Sequence, residues 1–325
     1  MRTRTKVLIP ALAVLVVFLF ILAAAFLGKT PPSPSPTREG SIPAGAVKMT
    51  PATDTLPPIL HSTEWDAPVP LGSGVNTAGG EDSAFVMPSG DKLYFFFTPN
   101  VSVPAERQLL DGVTGIWVST LQGGVWTNAT RVVLQDPGKL ALDGCEFVTP
   151  DGSEIWFCSA REGYPGVNLF TARLSGGRWT DWQIVEQALR DYQVGEMHIT
   201  ADGSRMFFHS SRPGGLGGLD VWTTDRVGGV WQTPVNVAAV NTADNEGWPF
   251  VTENGTELWI TRTYLGSPGL FRSELVGGDW TTPDLIVSQF AGEASLDLDG
   301  NLYFTHHFYR DNAMIEADIY VARHR

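Results

Sequence analysis

Residues Asp202–Trp231 read DGSRMFFHSSRPGGLGGLDVWTTDRVGGVW. An Asp-Gly turn dipeptide leads into the apolar run Met206-Phe207-Phe208. A glycine-rich loop follows, then a strand around Trp222, a Gly228-Gly229 turn and Trp231. By turn chemistry this is strand, loop, strand, tight turn, strand. The same pieces recur along the chain. A Gly-Gly pair precedes Trp126, Trp179, Trp231 and Trp280 by two residues, and Trp117, Phe170, Trp222 and Phe271 lie nine residues before them. Ser89-Gly90, Asp151-Gly152, Asp202-Gly203, Asn254-Gly255 and Asp299-Gly300 each open an apolar strand. Asp-Gly and Asn-Gly suit a type I′ turn, which needs positive φ at both central residues. Each repeat of about 50 residues thus predicts four antiparallel strands.

Two pieces are left over. Trp65-Asp66-Ala67-Pro68 is an outer strand with no repeat before it, and Tyr320 is a third-strand aromatic with no outer strand after it. Closing the chain into a ring uses both and removes unpaired edges. The expected fold is all-β: a five-bladed β-propeller of four-stranded antiparallel blades over 61–325, closed by an N-terminal strand.

The segment Ser210–Trp222, with Asn245-Glu246-Gly247-Trp248-Pro249 and Thr149-Pro150-Asp151-Gly152, resembles the WD-repeat-like (TolB-type) β-propeller repeat family. The resemblance spans about 64–325. It implies an extracytoplasmic propeller, often a protein- or envelope-binding module, and it implies no reaction. The first repeat departs most, with Phe97-Thr98-Pro99 where the pattern has Ser-x-Arg.

Composition agrees with a packed, exported domain. The 325 residues are 18% charged and 43% hydrophobic, with 35 Gly, 11 Trp and a formal net charge of −13. Two cysteines exclude a disulfide-dense scaffold or a four-cysteine zinc site. The acidic balance argues against nucleic acid as a partner. Val7–Leu27 is an uncharged apolar run after Arg2, Arg4 and Lys6. It is long enough to cross a bilayer, and its flanking charge puts the N-terminus inside and the rest outside. Residues 1–28 therefore read as a single-pass transmembrane signal anchor. The alternative is secretion after cleavage near Ala23-Ala24-Ala25. Residues 29–60 are rich in Pro, Ser and Thr and read as a semi-extended linker. The rest of the chain, 61–325, carries a net −17 and should not be drawn to anionic lipid.

The functional signal is weaker. Glu81, Asp82, Glu146, Glu196, Glu246 and Glu293 precede the first strands of the repeats, and Arg161, Arg212, Arg262 and Arg310 occupy loops expected on the same face. Val75–Glu81 recurs as Val240–Glu246. One reading is a mouth with an acidic ring and an arginine rim, able to take a cation, a sugar or a basic peptide. The other pairs each Glu with an Arg or with backbone amides as a repeated structural device. Asp220, Asp318 and Asn168 read as loop-closing groups, and the regular Trp as packing. His198, His209, His306 and His307 are not periodic, which makes them site candidates, but no close-spaced metal signature exists. No metal or cofactor is expected. A two-residue turn at Asp151-Gly152 makes Cys145 and Cys158 cross-strand partners, about 4.5 Å apart at the Cα atoms, and predicts a disulfide. The sequons at Asn100, Asn128 and Asn254 are common tripeptides. The expected function is a non-catalytic binding or scaffold module for a protein or cell-envelope ligand. A carbohydrate-active hydrolase using mouth carboxylates is the alternative, although neither a nucleophile elbow nor a phosphate loop occurs.

Overall fold

The computed structural model describes residues 37–325. The apolar run 7–27 expected to span a membrane lies outside them. No helix among the described residues is long and apolar enough to cross a bilayer. The fold is all-β, with three helical turns at Arg38–Ser41, Ala105–Gln108 and Gln187–Asp191.

The strands form antiparallel meanders in chain order. The first sheet holds Gly80–Val86, Lys92–Thr98 and Gly115–Gln122, edged by Val125–Trp126 and Thr130–Arg131. The second holds Ala141–Val148, Glu154–Arg161, Val167–Ser175 and Arg178–Ile184. The third holds Met197–Ile199, Arg205–Ser210 and Asp220–Val227, edged by Val230–Trp231 and Val235–Asn236. The fourth holds Glu246–Val251, Glu257–Tyr264 and Ser267–Val276, edged by Asp279–Trp280 and Asp284–Ser288. A further meander, the fifth sheet, holds Ala291–Leu296, Leu302–Arg310 and Ala313–Ala322 and is joined to the first by one parallel bridge from Ala317 to Gly80. Its outer strand is Val69–Pro70, with Val69 opposite Val321 and Pro70 opposite Tyr320. Trp65 bridges His324.

The innermost strands touch in a cycle. Gly80–Val86 packs on Ala141–Val148, which packs on Met197–Ile199; Glu246–Val251 and Ala291–Leu296 follow, and the last returns to Gly80–Val86. Sheets around one axis in this way form a β-propeller.

The periodic tryptophans join neighbouring sheets. Trp126 meets Tyr303 of the fifth sheet edge-on at 6.2 Å, Trp231 meets Trp156 of the second at 6.3 Å, and Trp280 meets Phe207 of the third at 5.8 Å. Trp65 meets Trp259 of the fourth at 5.7 Å. Each of these four outer-strand Trp packs on the second strand of the preceding sheet, and Trp65 takes this place for the fifth. Such edge-to-face pairs add about 1 kcal/mol beyond burial.

Three expectations need correction. The type I′ geometry sits at the Gly-Gly turns, where both residues have positive φ, as at Gly228 (59°) and Gly229 (85°). In the Asp-Gly turns only the glycine is left-handed, as at Gly152 (70°), and its N–H donates to the Thr149 carbonyl at 2.7 Å. Cys145 and Cys158 are free, buried thiols here rather than a cystine, and they stand close enough for Cys158 to be the chief cause that raises the Cys145 thiol. Val148–Ile155 and Phe147–Trp156 keep the expected register, but a bulge at Cys145 then places Gly144 opposite Cys158.

The linker also differs. From Thr37 onward the Pro/Ser/Thr-rich stretch lies against the sheets rather than standing off them. Arg38 is 2% exposed, and Met49 is buried in the core between the fourth and fifth sheets. Ile59–Leu60 adds a strand beside Asp284–Ser288. Three polar anchors hold this strap: Arg38 to Glu81, Lys48 to Glu316 and Asp318, and Asp54 to His306 at 2.9 Å.

Candidate functional site: an acidic axial channel

Four of the five inner strands carry one non-glycine residue in the left-handed region: Ser83 (54°), Cys145 (56°), Trp248 (52°) and Glu293 (61°). Each lies where the register to the second strand shifts. A bulge of this kind adds one residue and re-aims its neighbours. Left-handed backbone at non-glycine residues is costly and concentrates where surrounding packing enforces it, often at ligand sites.

The re-aimed side chains meet on the axis. Ser83, Cys145, Glu146, Glu196, His198, Trp248 and Glu293 surround a small cavity of about 40 Å3. Ser83, Cys145 and Glu196 also floor a larger cavity of about 450 Å3, together with Asp82. Its walls are largely apolar: Phe96, Val101, Val103 and Ala105 from the first sheet and its long loop, and Tyr309 and Met314 from the last hairpin. That volume suits a small-molecule site.

The electrostatics are one-sided. The Ser83 N–H donates to Glu293 Oε2 at 2.6 Å and to Asp82 Oδ1 at 3.1 Å, and the Ser83 hydroxyl donates to Glu196 Oε1 at 3.3 Å. His307 Nε2 lies 3.2 Å from Asp82 Oδ1. Both carboxylate oxygens of Glu146, a residue 6% exposed, lack any partner. Burial, followed by the Glu196 and Asp82 charges, pushes the Glu146 carboxyl well above the usual range. Burial and the Asp82 charge push Glu196 up to about 8. Burial, Asp82 and Glu196 push Glu293 up as well. Burial alone would raise Asp82 too, but the charge and hydrogen bond of His307 hold it far below. His198 sits among Phe147 and Phe250, at 4.8 and 4.5 Å, and burial lowers it to about 3.

The structure divides the predicted acidic ring. Glu146, Glu196, Glu293 and Asp82 converge on the axis with His198. Glu81 and Glu246 lie apart from it. The Thr77 N–H and hydroxyl donate to Glu81 at 2.9 and 2.6 Å, and Arg38 Nη1 approaches at 3.3 Å. Glu246 repeats this with Thr242 at 2.8 and 2.6 Å and with Arg262 Nε at 2.9 Å. Asp143 does the same with Arg161 at 2.9 Å. The recurring Val-Asn-Thr-Ala motif therefore builds joints. Asn76 bonds both backbone groups of Ile319, and Asn241 bonds both of Val221.

The arginines do not form a rim. Arg161 lies over Phe157, Phe170 and Trp182, and Arg262 lies over Phe271. Arg212 lies over Tyr192 and Trp222 without a carboxylate, and Arg310 approaches Met49. Arg38 fills the matching place in the first sheet, over Phe95, Phe97 and Trp117, where Ser-x-Arg is missing. Asp220 closes its loop through the N–H groups of Leu216 and Gly217, and Asn168 through the Pro165 carbonyl. Asp318 instead holds Lys48. His209 wedges between the Glu196 and Trp248 backbone nitrogens, 3.2 Å from each. Among the described residues no group of His, Cys, Asp and Glu has the geometry of a metal site. Ser83, Tyr309 and Met314 are site residues the sequence does not single out, and it offers Cys145 only as a half-cystine. Their only signal is that they fall outside the repeat.

No known protein family matches the chain, and no curated protein does. Several solved propellers are similar in fold. TolB from Acinetobacter baumannii aligns at 12% identity and TM-score 0.44, over 78% of this chain and 57% of that one. An endo-arabinase from Bacteroides thetaiotaomicron aligns at 11% and 0.45, over 75% and 93%. An engineered GH43 glycoside hydrolase with endo-xylanase and exo-arabinofuranosidase activity aligns at 13% and 0.46, over 80% and 52%. The chain spans little more than half the length of the TolB and GH43 chains. Likeness at this level transfers neither activity nor ligand.

Proposed function

We propose that the chain is a membrane-tethered, outward-facing five-bladed β-propeller that binds part of a protein or cell-envelope ligand in its axial channel, without chemistry. One observation carries the reading: a cavity of about 450 Å3 with apolar walls and an acidic floor, with no Lys or Arg among its described lining residues. Glu81, Asp143 and Glu246 on the sheets each have an arginine partner, whereas Glu196 on this floor has none among the described residues. The outward orientation rests on the Arg2, Arg4 and Lys6 charges before the apolar run.

A second reading has its own support. Asp82 is held ionised while Glu196 is raised to about 8 and keeps its proton near neutrality. Carboxyl groups pushed apart in this way provide a base and an acid, the pair a glycoside hydrolase needs.

The test uses the full-length protein in detergent on glycan and peptide arrays. Ala313→Trp, on the exposed hairpin bordering the cavity, is expected to abolish binding with little change in melting temperature. Binding unaltered by Ala313→Trp overturns the channel as the site. Release of reducing sugar by the parent protein, lost in Asp82→Asn and Glu196→Gln, establishes the hydrolase instead.

A further inference from the structure

The axial channel has two compartments of different chemistry, which narrows what fits it. The lower one, about 40 Å3, has room for one water-sized group. Ser83 supplies donors to Glu196 and Glu293, but two other residues keep unpartnered atoms. Glu146, 94% buried, leaves both oxygens unpartnered, and His198, 93% buried, leaves Nδ1 unpartnered. Glu196 and Glu293 complete the wall. Buried polar atoms without partners are rare and point to an absent group that would satisfy them. Glu146 stands with the carboxyls of Glu196 and Glu293 around this space, and no Lys or Arg among the described residues lines either compartment. The absent group is therefore a hydrogen-bond donor with positive charge. A guanidinium is too broad for the space. A primary ammonium is water-sized and carries three donors. The upper compartment, lined by Phe96, Val101, Tyr309 and Met314, takes an apolar body.

Resting on the channel reading above, we propose that the ligand is a primary ammonium ion on a short apolar chain, its head among Glu146, Glu196 and Glu293 and its body against Phe96 and Met314. This is the chemistry of an alkylamine or of a lysine side chain presented end-on. A bare divalent cation fits worse, since among the described residues no group of His, Cys, Asp and Glu has the geometry to coordinate one. Cys145, Glu146, Glu196, His198 and Glu293 are the titratable groups that line the head position, and the Asp82–His307 pair lies beside them. A cation arriving there expels protons from the carboxyls.

The experiment is titration calorimetry on the full-length protein in detergent with n-butylammonium chloride. The matched probes are 1-butanol, n-butyltrimethylammonium chloride and calcium chloride. We expect n-butylammonium to bind at least about tenfold more tightly than each matched probe. Proton release should be visible as a dependence of the heat on buffer ionisation. Glu146→Gln and Glu196→Gln, checked for an unchanged fold by circular dichroism, should each weaken binding about tenfold or more. No binding of n-butylammonium at 10 mM, equal binding of 1-butanol, tighter binding of calcium, or indifference to Glu146→Gln overturns the proposal. If array ligands are still blocked by Ala313→Trp, only the ammonium class has failed. If Ala313→Trp blocks nothing, the channel reading has failed with it.

Discussion

The carboxyls on the axis set a pH dependence whose sign can be worked out residue by residue. A carboxyl raised by folding binds more protons in the folded than in the unfolded chain, so stability falls as pH climbs from its ordinary value towards its raised one. Glu196, raised to about 8, acts over roughly pH 4.5 to 8, and Glu146 and Glu293 act in the same direction. Burial also raises Glu81, to about 7, despite Thr77 and Arg38. The buried histidines oppose this at lower pH. His198 at about 3 and His209 at about 4 must take up protons on unfolding, so they cost stability as pH drops below 6.5. Between pH 6.5 and 8 the histidines fall silent and the carboxyls remain. The melting temperature should therefore fall across that window at constant ionic strength. Glu196→Gln should flatten the fall and gain on the order of 2 kcal/mol at pH 8. A melting temperature that holds or rises from 6.5 to 8, with Glu196→Gln no more stable, contradicts the buried-acid description.

The elements that build the channel were only partly legible. Turn dipeptides and the 50-residue period announce every strand of the meanders, because glycine and aromatic spacing are read directly from the chain. The bulges are hidden, because their left-handed positions are held by Ser83, Cys145, Trp248 and Glu293, four residue types without a shared signal. Missing them merges structural and axial carboxylates into one ring and puts Cys145 where the fold has Gly144, opposite Cys158. The strap is hidden for a different reason. Its anchors Arg38, Lys48 and Asp54 are single residues in a composition that otherwise reads as linker. Yet Arg38 supplies in space the arginine that Pro99 displaces in sequence, donating to the Val75 and Gly74 carbonyls at 2.6 and 2.9 Å besides Glu81. Arg38→Met should cost about 3 kcal/mol in chemical denaturation at pH 7.5, because a fully buried Glu81 loses its cation. Adding Glu81→Gln should recover part of that loss by removing the orphaned charge. A cost below about 1 kcal/mol, or no recovery in the double variant, would mean the strap merely rests on the surface.

For the whole molecule the decisive contact is between the ends of the ring, and here the orphan pieces of the repeat were a sufficient guide. Tyr320 lacks a partner strand after it and Trp65 lacks a repeat before it; in the fold, Val69–Pro70 pairs with Tyr320–Val321 and Trp65 bridges His324. The Trp65 indole N–H donates to the Gly300 carbonyl at 2.8 Å, and its ring, 2% exposed, stands edge-on to Trp259. It joins the fourth and fifth sheets while belonging to neither in sequence. Trp179 holds the corresponding outer-strand place in the second sheet, but it is half-buried against the core that contains Tyr94. The two residues share a motif and differ in what they close, which makes them a matched pair. Trp65→Ala removes a buried aromatic from a joint made by distant parts of the chain, so it should cost about 3–5 kcal/mol. Trp179→Ala, at a joint between consecutive repeats and partly solvated, should cost about 1 kcal/mol. Protease digestion under native conditions offers a second readout, since an opened ring exposes the strands Ala313–Ala322 and Ala291–Leu296 first. Equal costs for the two substitutions, with no new cleavage in residues 291–322 of the Trp65 variant, would show that the terminal strand decorates the ring without holding it shut.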